Sequence, residues 1–241
     1  MNLLSYRHLG EKGGPFYDPD YPNPNDNPLV KAFAADNEIV SNTPDDFGEF
    51  PLVAARPSDT FKAPFANDAV ARAANGGALP PDFSVIAKAR KGGASYIYSL
   101  LAGYPSFDEY VYDDAGNTTL VFEDDAHPDH NGVLLQPIGQ YYNPYFEGDT
   151  TPQWDGDPRH APKGGFLAMG PQLTDGRVTY MDGTEATIDQ MSKDVAHFLA
   201  WAAEPKLEQR KSLGLGVMIY LGIFAILLWF SFKRIWRDVA H

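Results

Sequence analysis

The sequence predicts a mainly α fold: a helical domain with long loops and an acidic insertion, followed by one C-terminal transmembrane helix. Three observations predict it. The run from Leu213 to Phe232 has 20 residues and no charge. Upstream of it, apolar residues recur at helical spacing in three separate segments. Between those segments the chain carries 22 glycines and 20 prolines, so much of it must be loop rather than regular structure.

The terminal run, LGLGVMIYLGIFAILLWFSF, is long enough to span a bilayer. At about 1.5 Å per residue it covers the roughly 30 Å of hydrocarbon. Arg210 and Lys211 precede it, and Lys233, Arg234 and Arg237 follow it. Tyr220, Trp229 and Trp236 suit the headgroup zones. A core helix of a soluble protein is rarely apolar all round and bracketed by charge. The basic residues are nearly balanced across the run, so they set no orientation. The large acidic part before it is expected on the outer side. The chain thus divides into a domain at 1–205 and an anchor at 206–241, with the span at about 213–232.

The best-signalled soluble helix lies just upstream. Thr187 and Gln190 have the spacing of a capping box. Ile188, Met191, Val195, Phe198 and Leu199 then share one face, and Pro205 ends the helix. Met191, at helical spacing, is read as core. A second helix starts after Pro80-Pro81-Asp82, with Asp82 as N-cap, and runs to about Arg90, where Gly92-Gly93 breaks it. A third covers about Ser95 to Ala102, with Tyr96, Ile97, Leu100 and Leu101 as its apolar stripe.

The stretches Tyr17 to Asn27 and Asn143 to Gly165 are rich in Pro, Gly, Asn and Asp. Their aromatic residues, Tyr17, Tyr21, Tyr145, Phe146 and Trp154 among them, argue against plain disorder. Long loops in a compact domain need a reason, and a bulky apolar cofactor would supply the missing core. Asp108 to Gln136 reads as an acidic hairpin, with Asp114 to Asn117 as its turn and Thr118 to Phe122 as a strand.

Charge and composition exclude several functions. The net charge of −13 disfavours nucleic acid, which needs a basic face, and favours basic partners. With no cysteine, the chain has no disulfide, thiolate chemistry, iron–sulfur cluster or thioether anchor. No secretory leader is visible between Met1 and Gly14. There is no phosphate-binding glycine fingerprint, nucleophile elbow or HExxH zinc motif.

Two residue groups have metal-ligand chemistry. Met169 lies in Gly164-Gly165-Phe166-Leu167-Ala168-Met169-Gly170-Pro171, a non-helical stretch with Gly and Pro on both sides. Such flanks hold a thioether in place, and a thioether is a soft ligand suited to haem iron. A lone methionine on a loop is nevertheless more often a packing residue. The second group is Glu123 to His130, with His127 and His130. Pro128 is expected to disrupt the geometry that would converge the two imidazoles, so this run reads as a solvated acidic loop. His160, His197 and His241 carry no recognisable spacing.

Several segments, in order, resemble the cytochrome c1 family. They are Ser5-Tyr6-Arg7-His8-Leu9, then Asn75 to Ser84 with its Pro-Pro-Asp-Phe-Ser, then Ala89-Arg90-Lys91-Gly92-Gly93 and Tyr96 to Tyr104. Tyr142-Asn143-Pro144-Tyr145-Phe146, Ala168-Met169-Gly170-Pro171 and Asp182 to Thr187 follow. The set closes with Lys193-Asp194-Val195 and Phe198 to Pro205, just before the anchor. Each alone is weak; their shared order and the terminal span make the set specific.

The resemblance implies a class I c-type cytochrome domain carrying haem c. Met169 would be an axial iron ligand and Arg90 would face a propionate. Pro80, Pro81, Tyr96, Leu100, Leu101, Phe146 and Leu167 would line the porphyrin. The family attaches its haem through Cys-X-X-Cys-His, which this sequence lacks, so a truncated N-terminus is expected, with His8 a poor substitute for the proximal histidine. The implied role is a non-catalytic redox subunit of the quinol–cytochrome c oxidoreductase, complex III. It would take electrons from the Rieske iron–sulfur subunit, pass them to cytochrome c, and pack its anchor against cytochrome b. Its soluble domain would face the periplasm or the mitochondrial intermembrane space. Two other readings stay open: a haem-free membrane-tethered scaffold or assembly protein, and a metal-dependent hydrolase using His127 and His130.

Overall fold

The structure, a computed structural model, describes residues 3–113 and 115–238. Asp114 and His241 lie outside the described residues. In chain order the regular elements are α1 (Pro28–Ala35), β1 (Glu38–Val40), β2 (Leu52–Ala54), α2 (Asp68–Ala74), α3 (Ile86–Ala89), α4 (Gly93–Ala102), β3 (Tyr110–Tyr112), β4 (Thr118–Phe122), β5 (Gly132–Leu135), β6 (Tyr141–Asn143), β7 (Gly165–Leu167), α5 (Ile188–Ala203) and α6 (Leu207–Ile235). Helix, with the short 3-10 turns included, accounts for 42% of the chain; among the described residues the strands are short and fall into three separate antiparallel sheets. The backbone packs as two compact units, residues 3–4 with 60–203 and residues 5–59 with 204–238.

In the second of these units, Asn27 caps α1. Its Oδ1 accepts from the Leu29 and Val30 N–H groups, at 2.9 and 3.4 Å, and Pro28 takes the first helical position. Its Nδ2 donates to the Phe16 carbonyl at 2.7 Å. Phe16 meets Phe33 of α1 edge to face at 5.5 Å, so the Pro-rich stretch Tyr17 to Asn27 is folded back on its own helix. The β1–β2 hairpin pairs Ile39 with Val53. Helix α6 is exposed along its whole apolar length and runs unbroken for 29 residues, longer than the expected 213–232. It is long and apolar enough to cross a membrane. At its end the Lys233 Nζ sits 5.2 Å from the Trp229 ring centroid, as expected for a cation beside an interfacial aromatic.

Among the described residues the other unit shows two apolar clusters. One joins Ile86, Ile97, Ala196 and Leu199 where α3, α4 and α5 meet. The second gathers Leu120, Leu134, Tyr142 and Trp154 over the β3-β4-β5 sheet. Phe122 packs edge to face on Tyr142 and Trp154, at 6.1 and 5.7 Å. The Asn143 to Gly165 stretch is therefore an ordered loop that carries Trp154 back onto the sheet.

Expected local signals appear with amendments. Asp82 does cap its helix, its Oδ1 accepting from the Ser84 N–H at 2.8 Å, but the first turn is 3-10 and the α-helix covers only Ile86–Ala89. The capping box at Thr187 is half made. Thr187 Oγ1 accepts from the Gln190 N–H at 3.1 Å, while the Gln190 amide donates forward to Asp194 Oδ1 at 3.0 Å. A carboxylate one turn ahead outcompetes the backbone for that amide. Met191 is buried. The expected strand at Thr118–Phe122 forms, with β5 as a further partner on its other edge, and Asp113 rather than the following turn residues organises the hairpin. Its carboxylate accepts from the Ala115 and Asn117 N–H groups and the Asn117 side chain.

Candidate cofactor site

A cavity of about 590 Å³ opens in the unit that holds α2 to α5. Five stretches of chain line it. Pro80, Pro81, Ile86 and Arg90 come from the segment leading through α3. Tyr96, Ile97, Leu100 and Leu101 come from one face of α4. Phe146 comes from the loop after β6, and Leu167 and Met169 come from the end of β7 onward. Val195 and Leu199 come from α5. The structure thus gathers around one space the nine residues singled out from the sequence: Pro80, Pro81, Arg90, Tyr96, Leu100, Leu101, Phe146, Leu167 and Met169. Met191, by contrast, is not among the lining residues.

The Met169 loop is held from both sides. The Tyr104 hydroxyl donates to the Met169 carbonyl at 2.6 Å, 65 residues away in sequence. Burial pushes the Tyr104 phenol far above its usual range, so it remains a donor at physiological pH. Upstream, β7 pairs with β6, Tyr142 opposite Phe166 and Asn143 opposite Gly165. The Tyr142 hydroxyl donates to the Lys163 carbonyl at 2.6 Å, and burial raises that phenol to about 12.

Asn143 is the joint between the walls. It is fully buried. Its Nδ2 donates to the Leu100 carbonyl on α4 at 2.8 Å, and its Oδ1 accepts from the Tyr145 N–H at 3.0 Å. Its own carbonyl accepts from the Phe146 N–H. One side chain therefore sets the spacing between the α4 wall and the Phe146 loop. The two glycines at 164 and 165 permit this pairing. Gly164 has φ +126°, and a Cβ there would lie 2.5 Å from the Asn143 carbonyl; a Cβ on Gly165 would lie 2.8 Å from the Gly148 Cα.

Arg90 sits at the exposed end of α3, where the chain turns extended. Among the described residues its guanidinium has one hydrogen bond, a long 3.4 Å contact to the Ala89 carbonyl, and no carboxylate partner. Behind the cavity, α4 and α5 are pinned together by the Tyr98 hydroxyl, which donates to Asp189 Oδ1 at 2.5 Å, while Lys193 pairs with Asp189 Oδ2 at 2.6 Å. The Lys193 ammonium and the Tyr98 hydroxyl hold the Asp189 carboxyl below its ordinary value.

The lining decides what fits. Aliphatic and aromatic walls suit a large, flat apolar group. An unpaired guanidinium at the rim suits a carboxylate on that group's edge. The methionine among the lining residues is a soft ligand type. A haem has each of these properties, and the residues present fit it. Val195 and Leu199, which share the spacing of helix-core residues, also line the cavity. Asn143 stands in the sequence only as part of a loop pattern; full burial of an amide is not visible in a sequence.

His8 is not among the residues that line this cavity. It belongs to the unit of residues 5–59 and 204–238, and its Nδ1 accepts from the Ser5 N–H at 3.1 Å. The acidic run Glu123 to His130 requires a correction. Pro128 does not keep the imidazoles apart. Pro128–His130 form a 3-10 turn with proline in its first position, where no N–H is lost. Residues three apart eclipse in such a turn, and the His127 and His130 rings stack at 5.0 Å.

Comparison with known proteins gives the lineage. Residues 1–239 match the Cytochrome C1 family. The chain is 42% identical to the cytochrome c1 of Rhodospirillum rubrum over 212 residues, 88% of this chain and 69% of that protein. It is 39% identical to the mitochondrial cytochrome c1 heme protein of Kluyveromyces lactis over 213 residues, 88% of this chain and 60% of that protein. It is 40% identical to the cytochrome b/c1 protein of Bradyrhizobium diazoefficiens over 238 residues, covering 99% of this chain and only 30% of that longer protein. With a shared ancestry along nearly its whole length and the expected segments gathered around one apolar cavity, the chain belongs to the cytochrome c1 family.

Proposed function

We propose that this chain is the haem-bearing electron-transfer subunit of a quinol–cytochrome c oxidoreductase, complex III. The observation that carries the proposal is one cavity lined by Met169, Arg90 and apolar side chains from five segments. The names of its relatives support it: cytochrome c1, heme protein, and cytochrome b/c1. When bound, the haem would supply a one-electron iron couple, and a thioether such as that of Met169 is one of the groups that would tune its potential.

The protein's own part is positioning and electrostatics. Met169 offers the thioether on a loop fixed by Tyr104 and by the β6–β7 pair. Arg90 offsets the cost of burying a propionate. Pro80, Pro81, Tyr96, Leu100, Leu101, Phe146 and Leu167 exclude water, which keeps the site's dielectric low. No cysteine is available in the sequence, so the holding assigned to these residues is non-covalent.

The soluble part, taken as residues 1–205 of class I c-type cytochrome fold, would stand on the periplasmic or intermembrane side. The anchor, residues 206–241, would pack on cytochrome b. Electrons would arrive from the Rieske iron–sulfur subunit and leave to cytochrome c. Acidic clusters such as Asp45-Asp46-Glu49 and Asp108-Glu109 would steer a basic acceptor, so delivery should slow as ionic strength rises.

The test is a haem stain with a reduced-minus-oxidised spectrum on the protein purified from its native membrane. A one-electron, c-type signal supports the proposal. A colourless protein refutes it and favours the haem-free scaffold.

A further inference from the structure

Away from the cofactor cavity, one group of side chains has ligand chemistry that the electron-transfer role does not use. The loop between β4 and β5 brings Asp124, His127 and His130 together, and the 3-10 turn Pro158–His160 brings His160 beside them. His127 and His130 stack at 5.0 Å, and His130 and His160 pack at 4.2 Å between ring centroids. Three of the chain's six histidines thus meet in one place, although 33 residues separate the first from the last.

The arrangement is organised around one oxygen. Asp124 Oδ1 is already engaged, accepting from the Ala126 and His127 N–H groups at 2.9 and 3.2 Å. Its backbone N–H donates to Asn131 Oδ1 at 2.6 Å. That anchoring leaves Oδ2 facing two imidazoles, 3.2 Å from His127 Nδ1 and 3.6 Å from His130 Nδ1. A tetrahedral zinc ion with bonds of about 2.0–2.2 Å to nitrogen and oxygen has ligand-to-ligand edges of about 3.3–3.6 Å. The measured separations are close to such edges, with the cation's place between them. His160 is held by Asp129, its Nδ1 lying 3.1 Å from the Asp129 carbonyl oxygen and 3.4 Å from Asp129 Oδ2, and so braces the His130 ring. A cavity of about 550 Å³ bordered by Asp124, His130 and His160 leaves room for water in a fourth coordination position.

We propose that Asp124, His127 and His130 form a binding site for one divalent cation of the zinc class, with His160 as a positioning residue and water as the remaining ligand. Two imidazoles with one carboxylate select a borderline ion such as Zn²⁺ over Mg²⁺ or Ca²⁺, which prefer all-oxygen shells. Bound there, the ion would lock the tip of the acidic insertion. The inference is independent of the haem proposal, since it uses none of the same residues.

The experiment uses the full chain in detergent, purified without a histidine tag. Zn²⁺ is titrated calorimetrically, and Co²⁺ is titrated by visible absorbance, which reports tetrahedral geometry. The expected result is one Zn²⁺ per chain with micromolar affinity or tighter, and an intense Co²⁺ band. His127→Gln, His130→Gln and Asp124→Asn should each weaken binding at least tenfold, His160→Gln less than fivefold, and His197→Gln not at all. These side chains are surface-accessible, and circular dichroism checks that each variant remains folded. Millimolar binding by the unmodified chain, or unchanged binding in His127→Gln and Asp124→Asn, overturns the proposal. Loss in His160→Gln with none in His127→Gln overturns the assignment of ligands.

Discussion

Replacing Asn143 by alanine should loosen the cofactor cavity without touching any residue that lines it. The substitution removes two side-chain hydrogen bonds, one to the Leu100 carbonyl and one from the Tyr145 N–H. Each is worth about 1 kcal/mol net. It also leaves a carbonyl near the end of α4 and an N–H of the Phe146 loop without these partners, which adds roughly 1–2 kcal/mol for imperfect resolvation. The total is about 3–4 kcal/mol. For a unit of this size about 1 kcal/mol lowers Tm by roughly 2–4 °C, so the shift should be on the order of 10 °C. Asn143→Asp is the informative companion. It keeps the acceptor for Tyr145 but presents a carboxylate to the Leu100 carbonyl in a fully buried position, so it should cost at least as much as alanine. Thermal unfolding of the detergent-solubilised chain, followed by tryptophan fluorescence, measures both. If Asn143→Ala melts within 2 °C of the unaltered chain, the two walls are not joined through this amide.

Met169→Leu should keep the fold and lower the reduction potential of the native complex by on the order of 100 mV, well inside the ~0.8 V that axial ligation commands; an unchanged potentiometric midpoint would remove the thioether from the iron. Gly164→Ala should cost about 1–3 kcal/mol, because its φ of +126° is open only to glycine and the new Cβ meets the Asn143 carbonyl; a chemical-denaturation midpoint equal to that of the unaltered chain would contradict the close β6–β7 pairing. Asp189→Asn tests the α4–α5 pin through its pH dependence. The Asp189 carboxyl is held below its ordinary value by Lys193 and Tyr98, so its stabilisation is present above the unfolded pKa of about 3.9 and is lost as pH falls through the folded value. The gap in urea midpoint between the two proteins should therefore be full at pH 7 and close at still more acidic pH; a gap constant down to pH 3 would refute the ionic origin.

Local chemistry was legible without coordinates. The uncharged run Leu213 to Phe232 defines its own helix by length and composition, because hydrocarbon demands internal hydrogen bonding and apolar surface over a set distance. Asp82 and Thr187 announce helix starts, since a short side-chain acceptor satisfies an N–H that the helix itself leaves open. Ordered resemblance then assigned nine residues to a common site, and family membership follows from the same linear information.

What the linear pattern leaves open is which groups meet. Gln190 has the spacing for a reciprocal cap, yet Asp194 wins its amide. Val195 and Leu199 look like ordinary helix core, but lie beside a cavity shaped by segments up to about 120 residues away. Asn143 reads as a loop residue until burial makes its amide the link between two walls. Pro128 reads as a separator of histidines until a 3-10 turn eclipses them and a distant turn delivers His160. At the cavity, at Asn143 and at His160 the deciding term is a contact between residues far apart in sequence. Such contacts depend on how the chain closes in three dimensions, and periodicity and capping, which act over a few residues, carry no information about them.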